Sequence, residues 1–225
     1  MFHVKHRAQK YEKLIDFLLE RNLSINLTAI RSREEALAKH IEDSLVVSDH
    51  IFNHHPATKT LLDLGTGAGF PGLVIASEHP EINVTLLDST QKKIRFVDEA
   101  VVFLNLKNTN TVADRVETFS LINSSIFDCV VVRSVARLDA LLEYAAPLLK
   151  LGGVLLAMKS VNTLEELSIG QAVAGLFGFK KAVSFPYTLM DQERTLFSYM
   201  KTSNSSISLP RKIGDAVNNP IQRRS

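Results

Sequence analysis

Cysteine is nearly absent from this 225-residue chain, in which Cys129 stands alone. An internal disulfide is excluded, and chemistry that needs a pair of thiols has nothing to use; a reducing compartment suits such a chain. Long apolar runs are also missing, so no membrane partner is expected. The opening stretch MFHVKHRAQK has no apolar core, so a secretory signal is not expected, and a cytoplasmic location is. Charge of one sign is scarce overall, with a net of only +2. Its distribution is uneven. Lys and Arg outnumber Asp and Glu eight to five in residues 1–39, fall behind thirteen to eighteen in 40–200, and lead five to one in 201–225. An acidic body with basic ends suits a polyanion held by the terminal segments, although solvated tails share that composition.

The chain begins with helical periodicity and then changes rhythm. Tyr11, Leu14, Ile15 and Leu18 fall on one face of a helix over residues 8–21. SREE gives a second helix a capping box, with Ser32 as N-cap and Glu35 three residues on. Between them lies the polar connector NLSINLTAIR. From Thr60 onward strands and helices alternate: TLLDL, PGLVIASEH, NVTLLD, QKKIRFVDEAVVFLNL, NTNTVAD, FDCVVVRS, LDALLEYAAPLLKL and VLLAMK. Pro71 is placed at the first helical position of its segment, and Gly152-Gly153 as the end of the helix before VLLAMK. This alternation predicts a parallel sheet covered on both faces. KKAVSFPYTL and RTLFSYMK, separated only by MDQE, permit a hairpin and no parallel crossover. The outline is α/β: a Rossmann-like methyltransferase fold with N-terminal helices and a terminal antiparallel hairpin. Residues 202–225 read as an extended tail.

The stretch DLGTGAGFPG, from Asp63 to Gly72, ends the first strand. Counted from Gly67 it matches the dinucleotide pattern GxGxxG; counted from Gly65, Phe70 stands where the third glycine should be. S-adenosylmethionine carries no phosphates. It needs bare backbone and a carboxylate for its ammonium, which Asp63 would supply. Asp88, at the end of the second strand, suits the ribose hydroxyls of either cofactor. Asp63 and the hairpin favour S-adenosylmethionine. The region after the fourth strand, VVRSVARL, lacks the Asn/Asp-Pro-Pro-aromatic element of adenine amino-group methyltransferases. A nucleophile with a free lone pair, such as guanine N7, needs no such element. A dinucleotide-dependent oxidoreductase and a non-catalytic RNA-binding protein on a methyltransferase scaffold remain as alternatives.

NLTAI, HIEDSL, DLGTGAGFPGL, LLDSTQKKIRFV, DRVETF, VVRSVARL and PRKIGDAVNNPI run in order from Asn26 to Ile221. In these stretches the chain resembles the RsmG (GidB) family, bacterial guanine-N7 methyltransferases of small-subunit ribosomal RNA. The resemblance implies a class I methyltransferase with a seven-stranded sheet, S-adenosyl-L-methionine as cofactor, and 16S rRNA or the ribosomal subunit as partner, methylated at the guanine at position 527 in the usual rRNA numbering. It carries the family's cofactor contacts onto Gly65, Phe70, Asp88, Ser89, Thr90, Val116, Glu117 and Arg133, beside Asp63 from the loop reading. Val116 and Glu117 would meet the adenine edge; Arg133 would meet the methionine carboxylate or an RNA phosphate. Asn26, His40 and Asp43 are candidates for substrate binding, His40 and Asp43 sharing a helix face. The family's usual Trp-Asn pair is replaced by Arg21-Asn22, Ser134 stands where alanine is common, and MKS replaces Leu-Lys-Gly or Leu-Lys-Ala. His50, His54 and His55 lack a third ligand in a fixed setting, so no metal is expected. Lys92, Lys93 and Arg95 would face RNA or form a solvated helix face. The expected organisation is a helical extension over 1–58, a catalytic domain over 59–201 and a basic tail over 202–225, in a monomer.

Overall fold

The computed structural model describes residues 2–160 and 164–221, the side chains of residues 2–7 and 164 excepted. Seven strands form one sheet in the order β3-β2-β1-β4-β5-β7-β6. Strands β1 (Thr60–Leu64), β2 (Asn83–Asp88), β3 (Thr109–Ala113), β4 (Phe127–Arg133) and β5 (Leu149–Ser160) are parallel, and β7 (Gln192–Met200) pairs antiparallel with β5 and with β6 (Val183–Leu189). The hairpin closes through Met190 and Asp191, at φ 48° and 60°. Two residues with positive φ match the twist of paired strands. Strand β7 thus starts at Gln192, two residues before RTLFSYMK, with Gln192 and Glu193 paired to Leu189 and Thr188.

Alternation along the strands divides the core into two layers. Leu61, Leu86, Cys129, Val131 and Leu156 face one layer; Leu62, Leu87, Val130, Val132 and Leu155 face the other. The first layer is covered by α1 (Phe2–Ile25), α3 (Asp43–His54), α4 (Gly72–Glu78) and α5 (Gln91–Phe103). The second is covered by α6 (Val116–Ile122), α7 (Leu138–Ala145) and α8 (Leu164–Val173). Helix α1 docks through Leu14, Ile15 and Leu18, each wholly buried. Cys129 lies in the first layer, where burial pushes its thiol up.

Four local expectations change. Pro71 is the N-cap of α4 and not its first residue. Helix α7 ends at Ala145 before Pro147, which cannot donate to the helix ladder; Gly152 and Gly153 lie inside β5, at a register shift against β4. Ser32 does cap α2 (Arg33–Ala36), its hydroxyl accepting from the Glu35 amide, but a π-helical segment, Leu37–Glu42, follows before α3. Finally, residues 202–221 are not an extended tail. Thr202 N donates to Gly178 O at 2.8 Å, Ser206 N to Leu176 O at 2.9 Å, and Ile207, Leu209 and Ile221 pack on the second layer. Lys201 is itself buried, donating to the carbonyls of Ala146 and Leu149. Arg223 and Arg224 lie outside the described residues.

Candidate functional site

The glycine loop is shaped from beneath by Asp63. Its carboxylate is 1% exposed, and Oδ2 accepts from the Thr66 hydroxyl at 2.6 Å and the Gly72 amide at 2.7 Å. No side chain fits at Gly72, where a Cβ would strike Asp63 and Leu86. Gly65 has φ +70°, and a Cβ there would collide with Val135. Burial pushes Asp63 up to about 6. Its Oδ1 has no partner among the described residues, and Asp63 lies beneath the cavities described below. Its contacts make it the support of the loop.

Beyond the strand ends, a first cavity of about 310 Å³ opens between the loop and β2, α6 and α7. Leu64, Leu87, Val116 and Val135 give it apolar walls, and Asp88 and Glu117 give it carboxylates. Asp88 Oδ2 accepts from Gly67 N at 3.0 Å and Oδ1 from Thr90 N at 2.8 Å. Each oxygen keeps a lone pair for a further donor. Glu117, in the first turn of α6, accepts from Gly214 N at 2.8 Å. Tyr144 completes this side, its hydroxyl pushed up to about 12 by burial and by Glu117 and Glu143.

A second cavity, of about 420 Å³, lies on the other side of Gly65, which lines both. Lys39, Lys93, Arg133 and Arg194 border it. Arg133 donates to the Lys39 carbonyl, to Asp43 Oδ2 at 3.3 Å and to His40 Nδ1 at 3.1 Å. Asp43 Oδ1 accepts from the Tyr187 hydroxyl at 2.8 Å, and Arg194 stands 3.8 Å from Oδ2. An arginine only donates, so His40 Nδ1 must accept and the ring proton resides on Nε2, 3.2 Å from Thr28 Oγ1. The imidazole is stacked on Phe70 with centroids 4.7 Å apart. Burial, then Arg133 and Lys39, hold its pKa down at about 3.

The sequence profile of the GidB family, described as rRNA small subunit methyltransferase G, matches residues 7–195. The chain belongs to this family. Proteins named ribosomal RNA small subunit methyltransferase G are 38% identical in Lachnoclostridium phytofermentans, over 98% of this chain and 92% of that protein, and 35% identical in Bacillus subtilis, over 96% and 91%. Among solved structures, a putative O-methyltransferase from Klebsiella pneumoniae aligns with a TM-score of 0.60 at 13% identity, covering 84% of this chain and 90% of that one. A mutant 16S rRNA (adenine(1408)-N(1))-methyltransferase from Catenulisporales acidiphilia aligns at 0.55 and 15%, covering 70% and 92%. These two likenesses concern the fold. Membership of the GidB family does not favour the oxidoreductase or the non-catalytic alternative.

The positions carried over from the GidB likeness divide between the two cavities. Gly65, Asp88, Ser89, Val116 and Glu117 line the first; Phe70 and Arg133 join His40 and Asp43 at the second. Thr90 lines neither and serves as N-cap of α5. Asn26 lies outside both, exposed at φ 53° just past α1. Asn22 holds the NLT connector instead. It is 3% exposed, its Oδ1 accepting from Leu27 N at 2.7 Å and Thr28 N at 3.0 Å while Nδ2 donates to Thr28 O at 3.0 Å. Lys93 reaches the sites, 3.7 Å from Asp88, whereas Lys92 and Arg95 point to solvent. His50 packs on His54 and Phe185, and no group of three His, Cys, Asp or Glu among the described residues could hold a metal.

Proposed function

We propose that the protein methylates N7 of a guanine in 16S rRNA, at position 527 in the usual numbering, with S-adenosylmethionine in the first cavity and the base entering the second. The observation that carries this reading is Gly65, the side-chain-free residue at which the two cavities adjoin. The first cavity fits the cofactor: its walls are apolar, and Asp88 has lone pairs left for two neighbouring hydroxyls. When bound, the cofactor supplies an electrophilic methyl group on a sulfonium. The chain's own residues orient and shield. Asp88 fixes the ribose, and Gly65 allows close approach of donor and acceptor. Lys39, Lys93, Arg133 and Arg194 give the second cavity the charge that phosphates seek. Guanine N7 has no proton to lose, and His40 has no free lone pair to take one. Residues 59–201 would form the catalytic domain, with residues 1–58 supplying its RNA-facing side through Thr28, Lys39 and His40.

The test is methyl transfer from labelled S-adenosylmethionine to small-subunit particles and to naked 16S rRNA, each mapped by mass spectrometry. N7-methylguanine at one position in either substrate is the expected product. Label on an exocyclic amine, on a ribose or on no nucleotide would overturn the assignment.

A further inference from the structure

A polar segment with the composition of a loose end forms one wall of the first cavity. Arg211 anchors it, donating Nε to Glu143 Oε1 at 2.8 Å and a terminal nitrogen to Oε2 at 2.6 Å. This two-pronged pair holds orientation as well as position. Gly214, at φ +83°, then turns the chain so that its amide meets Glu117. A short helix, α9 (Asp215–Asn218), follows. Ala216 faces the domain at 3% exposure, but Val217 is 56% exposed while lining the cavity across from its apolar walls. Asn218 lines the same cavity. An exposed valine beside an open, apolar-walled cleft gains burial only when something flat and apolar enters.

We propose that residues 209–219 are a binding strap for the adenosyl group, in which Val217 covers a face of the adenine and Asn218 pairs with its polar edge. Adenine has apolar faces and a donor–acceptor edge that an amide side chain matches. The strap is tied at two points, Arg211 to Glu143 and Gly214 to Glu117, so the cofactor cavity and the C-terminal segment form one unit. Arg211 is spent on this tie and is not free for RNA. The proposal rests on the reading that the first cavity takes S-adenosylmethionine.

Calorimetry with S-adenosylmethionine and S-adenosylhomocysteine on the full chain tests it, using Val217→Asp, Asn218→Ala and Arg211→Ala, with Asp88→Ala for reference. Val217 is largely exposed, so Val217→Asp should leave the ligand-free melting temperature unchanged while lowering affinity about tenfold or more, since a charge would be buried against the base. Arg211→Ala should act in the same direction by releasing the strap. Affinities within about twofold of wild type for both, with Asp88→Ala weakened, would reduce the strap to a surface appendage, a twofold change being under 0.5 kcal/mol. If Asp88→Ala also binds normally, the placement of the cofactor fails and the strap fails with it.

Discussion

Asp88 and Asp43 are both carboxylates with little exposure, 8% and 1%, on opposite sides of Gly65, and they are used in opposite ways. Asp88 accepts one backbone amide on each oxygen, has Lys93 3.7 Å from Oδ2, and faces the first cavity. Asp43 has Tyr187 on one oxygen and Arg133 on the other, with Arg194 close by. A carboxylate held by neutral amides keeps its charge for donors from the cavity. One already set between two guanidiniums fixes the shape and charge around it. The first cavity is therefore built to bind, and the second to present a fixed cationic surface to whatever enters.

The sharpest way to break this contrast is to remove the carboxylate between the arginines. Asp43→Ala would leave the half-buried Arg133 and Arg194 without their anion and Tyr187 without its acceptor. Breaking a buried ion pair costs about 3–5 kcal/mol, and the Lys39 carbonyl and His40 keep the loss toward the lower end. Urea unfolding should show that loss, with Asp43→Asn milder because it retains an acceptor for Tyr187. A fully stable Asp43→Ala protein with lost rRNA methylation would instead make Asp43 a residue for the substrate alone.

A smaller effect is expected on the other side. Asp88→Ala removes the acceptor for the ribose and should weaken S-adenosylmethionine by about 1.5–3 kcal/mol, the range for hydrogen bonds to a charged group. Stability should change less than in Asp43→Ala, since the Gly67 and Thr90 amides and the more exposed Lys93 lose a partner that solvent can replace. Calorimetric affinity equal to wild type in a folded Asp88→Ala protein would remove Asp88 from the site.

The sheet and the glycine loop were legible because each strand and helix carries its own signal: alternation, β-branched runs, and glycines at a strand end. What escaped depends on contacts distant in sequence. The returning strap has the Ser, Asn and Pro content of a tail, and its folding hangs on Arg211 meeting Glu143, 68 residues away. Arg194 looks like an ordinary strand cation. Its position two residues before Leu196, on the layer that α1 and α3 cover, was the available hint. Asn22 left a plainer trace, continuing the buried stripe of Tyr11, Ile15 and Leu18 at helical spacing. A polar residue on an apolar stripe signals a buried hydrogen-bonding task, and here it fixes the connector beneath His40. The π-helical segment has no composition of its own.

The smallest expected effect is on the shape of a pH profile. His40 is held neutral down to about 3, so it does not titrate in the working range of the enzyme. Its Nδ1 lone pair is occupied by Arg133, and guanine N7 needs no base. The single-turnover rate with saturating RNA should therefore stay nearly flat between about pH 6 and 8.5, where an ordinary histidine would begin to titrate at the lower end. His40→Asn should lower the rate by loosening Arg133 and the Thr28 connector, leaving that flatness intact. Stability should report His40 where rate does not. An unfolded histidine takes up its proton below about 6.5, while folded His40 does so only near 3, so its contribution is full above pH 6.5 and is lost as pH falls toward 3. Asp63, raised to about 6, works in reverse: the folded state takes up its proton first, which adds stability as pH falls from 6 toward the ordinary carboxylate range. His50, held down to about 4 by burial and by His54 and His55, works in the same direction as His40. Wild type should thus lose stability between pH 6 and 4, and His40→Asn should lose less over that window. A wild-type rate that rises about tenfold per pH unit below 7, with the rise abolished in His40→Asn, would mean that His40 titrates during turnover; the second cavity would then do more than present fixed charge.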